Sequence, residues 1–122
     1  MANLNKKIVS ALSSFKLPIA ETIYEGSASS YFVYSITYDV AGDTGDDAPQ
    51  AYVATVQIHY VCLLHQSYAS MKKQIRQALV SAGFTPPEVT DMSDEKEKLR
   101  RLVFECEIIN EYDLESEEQI NG

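Results

Sequence analysis

The hydrophobic residues of this chain recur with two different periods along the sequence. Apolar and polar positions alternate through residues 31–40, 51–64 and 99–109, which predicts three long strands with one apolar face each. Such alternation is typical of an antiparallel sheet that buries one face and leaves the other accessible. Apolar residues spaced by three and four through 4–15 and 66–82 predict two amphipathic helices.

Proline and glycine mark where these elements end. Pro18 stops the first helix, and Gly83 stands where a left-handed residue commonly closes a helix. Two further segments, 19–25 and 88–92, have the composition of short strands. Residues 42–47 contain two glycines and three aspartates but no hydrophobic residue, which predicts a loop at the tip of a long hairpin.

The order of these elements is helix, short strand, two strands, helix, and a final pair of strands. It predicts an α+β fold, a two-layer sandwich in which two helices pack on one face of a mostly antiparallel sheet of about four strands. The other face of the sheet is expected to be polar and available for contacts. Residues 1–110 are interpreted as a single domain and residues 111–122 as an acidic, flexible C-terminal tail.

Charge limits the classes of partner that this chain can bind. The 122 residues carry a formal net charge of -8, which disfavours gripping nucleic acid or an anionic membrane surface. The sequence contains no run of about 18 apolar residues, and serines interrupt the N-terminal apolar stretch. We therefore expect neither a membrane span nor a signal peptide, and a protein that stays in the cytoplasm where it is made.

The residues that usually carry catalysis are scarce and scattered. An odd spacing places His59 on the opposite strand face from Cys62, and His65 falls at a strand end. The two cysteines, Cys62 and Cys106, lack the spacing of metal ligands and are expected to be reduced core thiols. Neither a phosphate-binding glycine motif nor a complete EF-hand loop is present. The sequence thus predicts no catalytic residue, no cofactor and no metal.

Charged residues of opposite sign suggest contacts between copies of the chain. A ring of subunits could pair the basic face of the second helix with an acidic segment of the next subunit. The candidate contact residues are Lys72, Lys73 and Arg76 on the helix, and Asp43, Asp46 and Asp47 in the loop.

Across residues 3–110 the chain resembles the tail-completion, or tail-terminator, proteins of long-tailed bacteriophages and related prophages of Gram-positive bacteria. The likeness lies in the order of secondary-structure elements and in several short sequence segments. The segments that carry it are Phe15-Lys16-Leu17-Pro18, Thr22-Ile23-Tyr24-Glu25-Gly26, Tyr31-Phe32-Val33-Tyr34, Val56-Gln57-Ile58-His59-Tyr60, Met71-Lys72-Lys73-Gln74-Ile75-Arg76-Gln77-Ala78-Leu79, Ala82-Gly83-Phe84-Thr85 and Leu102-Val103-Phe104-Glu105-Cys106-Glu107-Ile108.

This resemblance implies an α+β protein that acts without catalysis. Such proteins form a ring, usually of six subunits, on the head-proximal end of the tail tube, where the ring ends tube growth and docks to the filled head. The implied partners are other copies, the tail tube protein and head–tail connector proteins, and DNA would pass through the lumen without specific binding. The implied location is the virion tail, after assembly in the host cytoplasm.

Two other functions stay open on the sequence. The first is a head–tail connector or another minor structural protein of the virion. The second is a small ligand-binding or enzymatic α+β domain, whose site would have to lie on the outward face of the sheet. The residues that could line such a site are Thr55, Gln57, His59, Glu105 and Glu107.

Overall fold

The computed structural model describes residues 4–40 and 52–110 of the chain. Two helices and five strands make up this part. They are α1 (Leu4–Leu12), followed by a 3-10 turn (Ser13–Phe15), β1 (Ile19–Glu21), β2 (Tyr31–Val40), β3 (Tyr52–Leu63), α2 (Ala69–Ser81), β4 (Glu88–Asp91) and β5 (Leu99–Asn110).

The five strands form one sheet in the order β1-β2-β3-β5-β4. The long strands pair antiparallel at its centre, with Ile58 opposite Tyr34 on one side and opposite Phe104 on the other. Strand β4 adds to β5 antiparallel, whereas β1 pairs with β2 in parallel. The sheet is therefore mixed but mostly antiparallel, as the alternating pattern of its long strands predicted.

The prediction of an α+β fold is confirmed, but the prediction of about four strands is wrong by one. Strands β1 and β4 span only three and four residues, and each lies at an edge of the sheet. An edge strand of this length has a single hydrogen-bonding neighbour and shows at most two full periods of alternation. The sequence pattern therefore indicates two short strand-like segments, but it does not establish that both join the sheet.

The hydrophobic core lies between the helices and one face of the sheet. From α1 it takes Leu4, Ile8 and Leu12, and from α2 it takes Ile75 and Leu79. The strands contribute Phe32, Tyr34, Ala54, Val56, Ile58, Tyr60, Cys62, Leu102, Phe104 and Cys106. Both helices thus cover the same sheet face, because their apolar stripes and the inward strand positions have no other surface on which to be buried.

Gly83 ends α2 in the backbone conformation that the sequence suggested. Its φ is +103°, and its N–H donates to the Val80 carbonyl oxygen at 3.0 Å. The α-helix itself begins at Ala69, three residues later than the apolar spacing predicted. None of the helices in the described ranges is long and apolar enough to cross a membrane.

Candidate functional site

The predicted basic contact residues lie close together on α2. Burial of Ile75 and Leu79 fixes which side of the helix meets the sheet, so Lys73 and Arg76 fall on the outward side and Lys72 on the flank. Lys73 and Arg76 are exposed, while Lys72 is half-buried. We call these three residues the α2 basic surface. Their predicted acidic counterparts in the loop, Asp43, Asp46 and Asp47, lie outside the described residues.

The α2 basic surface has an unfavourable position within its own helix. No acidic residue occupies the first turn of α2, and the residue that precedes the helix, Tyr68, makes no side-chain capping hydrogen bond. The N-terminal end of a helix carries a partial positive charge, so Lys72 and Lys73 add like charge to it. Lys72 and Arg76 are also four residues apart, a spacing at which like charges repel. An anion beside this surface would relieve both effects.

The carboxylate of Asp91, which the charge of Lys72 influences, is already engaged. The Asp91 carboxylate accepts hydrogen bonds from the hydroxyl and the backbone N–H of Ser93 and pairs with Arg100 at 3.1 Å. The Ser93 hydrogen bonds, followed by the charges of Arg100 and Lys72, lower the pKa of Asp91. The Arg100 guanidinium also lies 4.0 Å from the ring centre of Tyr68. This cluster fixes the start of α2 against β5, a link that no spacing in the sequence indicated.

The sheet face opposite the helices is only partly polar, which corrects the expectation for this surface. Val61 is fully buried and Val103 is 7% exposed, although both point away from the helices. Nearby, the Tyr24 ring stacks on Tyr31 with centroids 4.2 Å apart, and the Tyr24 hydroxyl accepts a hydrogen bond from the Ala28 N–H at 2.9 Å. One end of the face is therefore apolar and aromatic, because the segment after β1 packs back across it.

Gly26 is the one sequence signal that could have revealed this packing. A Cβ on Gly26 would lie 2.3 Å from the Tyr24 hydroxyl oxygen, closer than any side chain could approach without moving the ring. The sequence shows a glycine in a turn. Only the structure shows that its missing side chain leaves room for an aromatic residue.

His59 lies on this open face and contacts Arg101 rather than an acid. The Nη1 atom of Arg101 is 2.9 Å from the Nδ1 atom of His59, and since a guanidinium only donates, Nδ1 is the acceptor. Burial, followed by the Arg101 charge, lowers the pKa of His59. The neutral His59 imidazole therefore accepts a hydrogen bond from Arg101 at Nδ1, and this nitrogen has a structural role.

The other residues suggested for a ligand site share the same face. Gln57 lies directly opposite Glu105, and its Nε2 donates to Glu105 Oε1 over a long 3.4 Å. His59 lies opposite Val103 instead. The structure thus places the proposed lining on neighbouring strands of one surface, but it pairs His59 with a cation and Glu105 with an amide. That pairing differs from the histidine–carboxylate arrangement on which acid–base chemistry would depend.

Both thiols belong to the core. Cys62 and Cys106 are free and buried. Burial raises the pKa of both, to about 12 for Cys106, where Glu105 and Glu107 add to the effect. A thiol in this environment stays protonated and is a poor nucleophile. Within residues 4–40 and 52–110, no group of three or more His, Cys, Asp and Glu residues is arranged to hold a metal ion.

Comparison with known proteins gives a likeness in fold. No protein-family model matches the sequence, and no curated protein matches it. Among solved structures, the chain is similar to one in a structure described as the virion of a native gene transfer agent particle. The two share 15% sequence identity with a TM-score of 0.54, and the match covers 88% of this chain and 92% of the other. At this identity the likeness establishes a shared fold.

Proposed function

We propose that this protein is a non-enzymatic structural component of a phage-like particle. The observation that carries the proposal is the fold likeness to a chain of a gene transfer agent virion, which extends over nearly the whole of both chains. A match over 88% and 92% of the two chains means that the likeness extends beyond one shared motif. The resemblance found in the sequence points to the same class independently.

Within that class, we propose the role of a tail-completion protein. Several copies, six in the implied ring, would cap the head-proximal end of a tail tube and help to join the tail to the head. The partners would be neighbouring copies, the tail tube protein and head–tail connector proteins. A head–tail connector or another minor virion protein is the alternative within the same class.

The surfaces of the fold support a role in assembly. The molecule offers two different surfaces on opposite layers, the α2 basic surface and the open face of the sheet, which is apolar at one end and carries the exposed Glu105 and Glu107 at the other. Contacts between unlike surfaces join copies head to tail, and such contacts close into rings when the rotation between copies allows it. The net charge of -8 would let DNA pass through a lumen without adhering.

The experiment that tests this role mixes the purified protein with polymerising tail tube protein from the same phage or prophage. We expect tubes of limited length with this protein at one end, visible by negative-stain electron microscopy with an antibody or gold label. Tubes that grow unchanged and carry no label would contradict the tail-completion role. Labelling at the head vertex of assembled particles, and not on tubes, would favour the connector alternative.

A further inference from the structure

The net charge of this protein is distributed unevenly along the chain. Residues 4–40 and 52–110 contain all ten lysines and arginines and ten of the eighteen acidic residues, so the described fold is formally neutral. The eight remaining acids lie in 41–51 and 111–122. Five of them fall in the last segment, at Glu111, Asp113, Glu115, Glu117 and Glu118, without a single basic residue between them.

The α2 basic surface is the cationic counterpart of this segment within the fold. The shallow groove beside it is lined by Ala69, Lys72, Lys73, Arg76 and Gln77, none of which is acidic. Among the described residues, Arg100 and Asp91 form the one ion pair, which leaves Lys73 and Arg76 without a carboxylate partner there. Three neighbouring cations, two of them near the positive end of the helix, repel one another and favour an anionic partner with several charges.

The groove continues into an apolar site. Val80 is 48% exposed, one turn beyond Arg76, and a second shallow depression is lined by Arg76, Gln77, Val80 and Ser81. Residues 111–122 are acidic but also contain apolar side chains, including Leu114 between Asp113 and Glu115. The charge and the apolar content of this segment therefore both match the outward side of α2.

The direction of β5 determines how many acids of the segment can reach this surface on their own subunit. Tyr68 contacts Arg100 at one end of α2, and Thr85 exchanges hydrogen bonds with the Glu107 backbone just past its other end, so α2 and β5 run alongside in the same sense. Strand β5 then continues three residues to Asn110, about 10 Å further on. Lys72 lies nine residues before the end of α2, about 14 Å back along the helix.

A segment that docked on its own subunit would have to turn back over about 24 Å. An extended chain advances at most about 3.5 Å per residue, so on its own subunit Glu111 and Asp113 could not reach Lys72, and only residues from about Glu117 onward could. On a neighbouring copy this restriction does not apply, and all five acids could face the three cations. We infer that residues 111–122 of one copy dock on the α2 basic surface of the next copy, an inference that rests on the proposed assembly of several copies.

The first test is a binding titration that needs no tail tubes. A fluorescently labelled peptide of residues 111–122 is titrated with the full-length protein, and fluorescence anisotropy is followed at low and high salt. We expect saturable binding that weakens with salt, and about a tenfold or greater loss for K72E/K73E/R76E, since the three cations that would pair with the peptide are reversed. The variant K16E/K96E/K98E makes the same change in net charge at other exposed sites and should bind as the wild type does.

The second test uses charge exchange in the full chain, read out as mass by light scattering. Reversal of the segment, as E115K/E117K/E118K, and reversal of α2, as K72E/K73E/R76E, should each abolish self-association. Mixing the two variants, or combining all six changes in one chain, should restore it. Equal peptide binding by the wild type and K72E/K73E/R76E, or failure of the mixture to associate, would overturn the inference. Capping of tubes by the segment-reversed variant would leave the proposed function standing while refuting this contact.

Discussion

The end of α2 offers a sharp test of the backbone, because one residue there adopts a conformation that side chains disfavour. Gly83 has a φ of +103°, and an added Cβ would meet only Ile108 Cδ1, at an ordinary contact distance of 3.7 Å. Space for a methyl group is therefore present, and the cost of Gly83→Ala comes from the backbone alone. Placing an L-residue in the left-handed region costs about 1–2 kcal/mol, and we expect that loss in the free energy of unfolding.

Equilibrium urea unfolding followed by circular dichroism measures this loss. A decrease of about 1–2 kcal/mol lowers the midpoint by about 1 M with an unchanged slope. Gly83→Asn is the matched control, because asparagine enters the left-handed region more readily than alanine and should lose less. If Gly83→Ala unfolds at the wild-type midpoint, or if Gly83→Asn costs as much as Gly83→Ala, the assignment of the cost to the backbone is wrong.

Three further predictions follow from the core and the open face. Phe104→Ala removes a fully buried ring and should cost about 3–5 kcal/mol in calorimetric or urea unfolding, well above Val103→Ala on the other face of the strand. Burial and Arg101 lower the pKa of His59 in the folded state, so the unfolded chain binds the proton more readily and stability should fall as pH drops through the ordinary histidine range. His59→Gln should flatten that fall, and an unchanged pH profile would contradict the argument. Cys106, with its pKa raised to about 12, should react with a thiol reagent at mildly alkaline pH only after unfolding, and rapid labelling of the native protein would count against the described core.

The two unlike surfaces of the fold have different consequences for assembly. The α2 basic surface is electrostatic, and contacts made through it should weaken with salt. The open face carries the stacked, half-buried Tyr24 and Tyr31 at one end, so contacts made there would depend more on apolar burial. Salt dependence of self-association therefore distinguishes which surface dominates.

The sequence by itself determined the central strands and the two helices. Alternation through β2, β3 and β5 marked which side chains face the core, and the residues of those strands in the core beneath the helices agree with it. Spacing by three and four located α1 and α2, and Gly83 marked the end of the second helix. These features are readable because each follows from the period of one element and the burial of one of its faces.

Tertiary structure alone decided how those elements join and what the surfaces became. Strand β1 pairs in parallel with β2, and β4 pairs with β5 at the opposite edge of the sheet. Both pairings depend on contacts between residues distant in sequence, and strands of three or four residues show too little alternation to predict their partners. Val61 and Val103 are buried on a face that alternation marks as outward, and the Tyr24 ring stacks on Tyr31, the strand neighbour of Val61. Likewise, His59 meets Arg101 only because strand register brings them together, 42 residues apart. The local sequence pattern shows which face of a helix or strand is apolar. The surface against which that face packs is determined by the arrangement of all the elements in the fold.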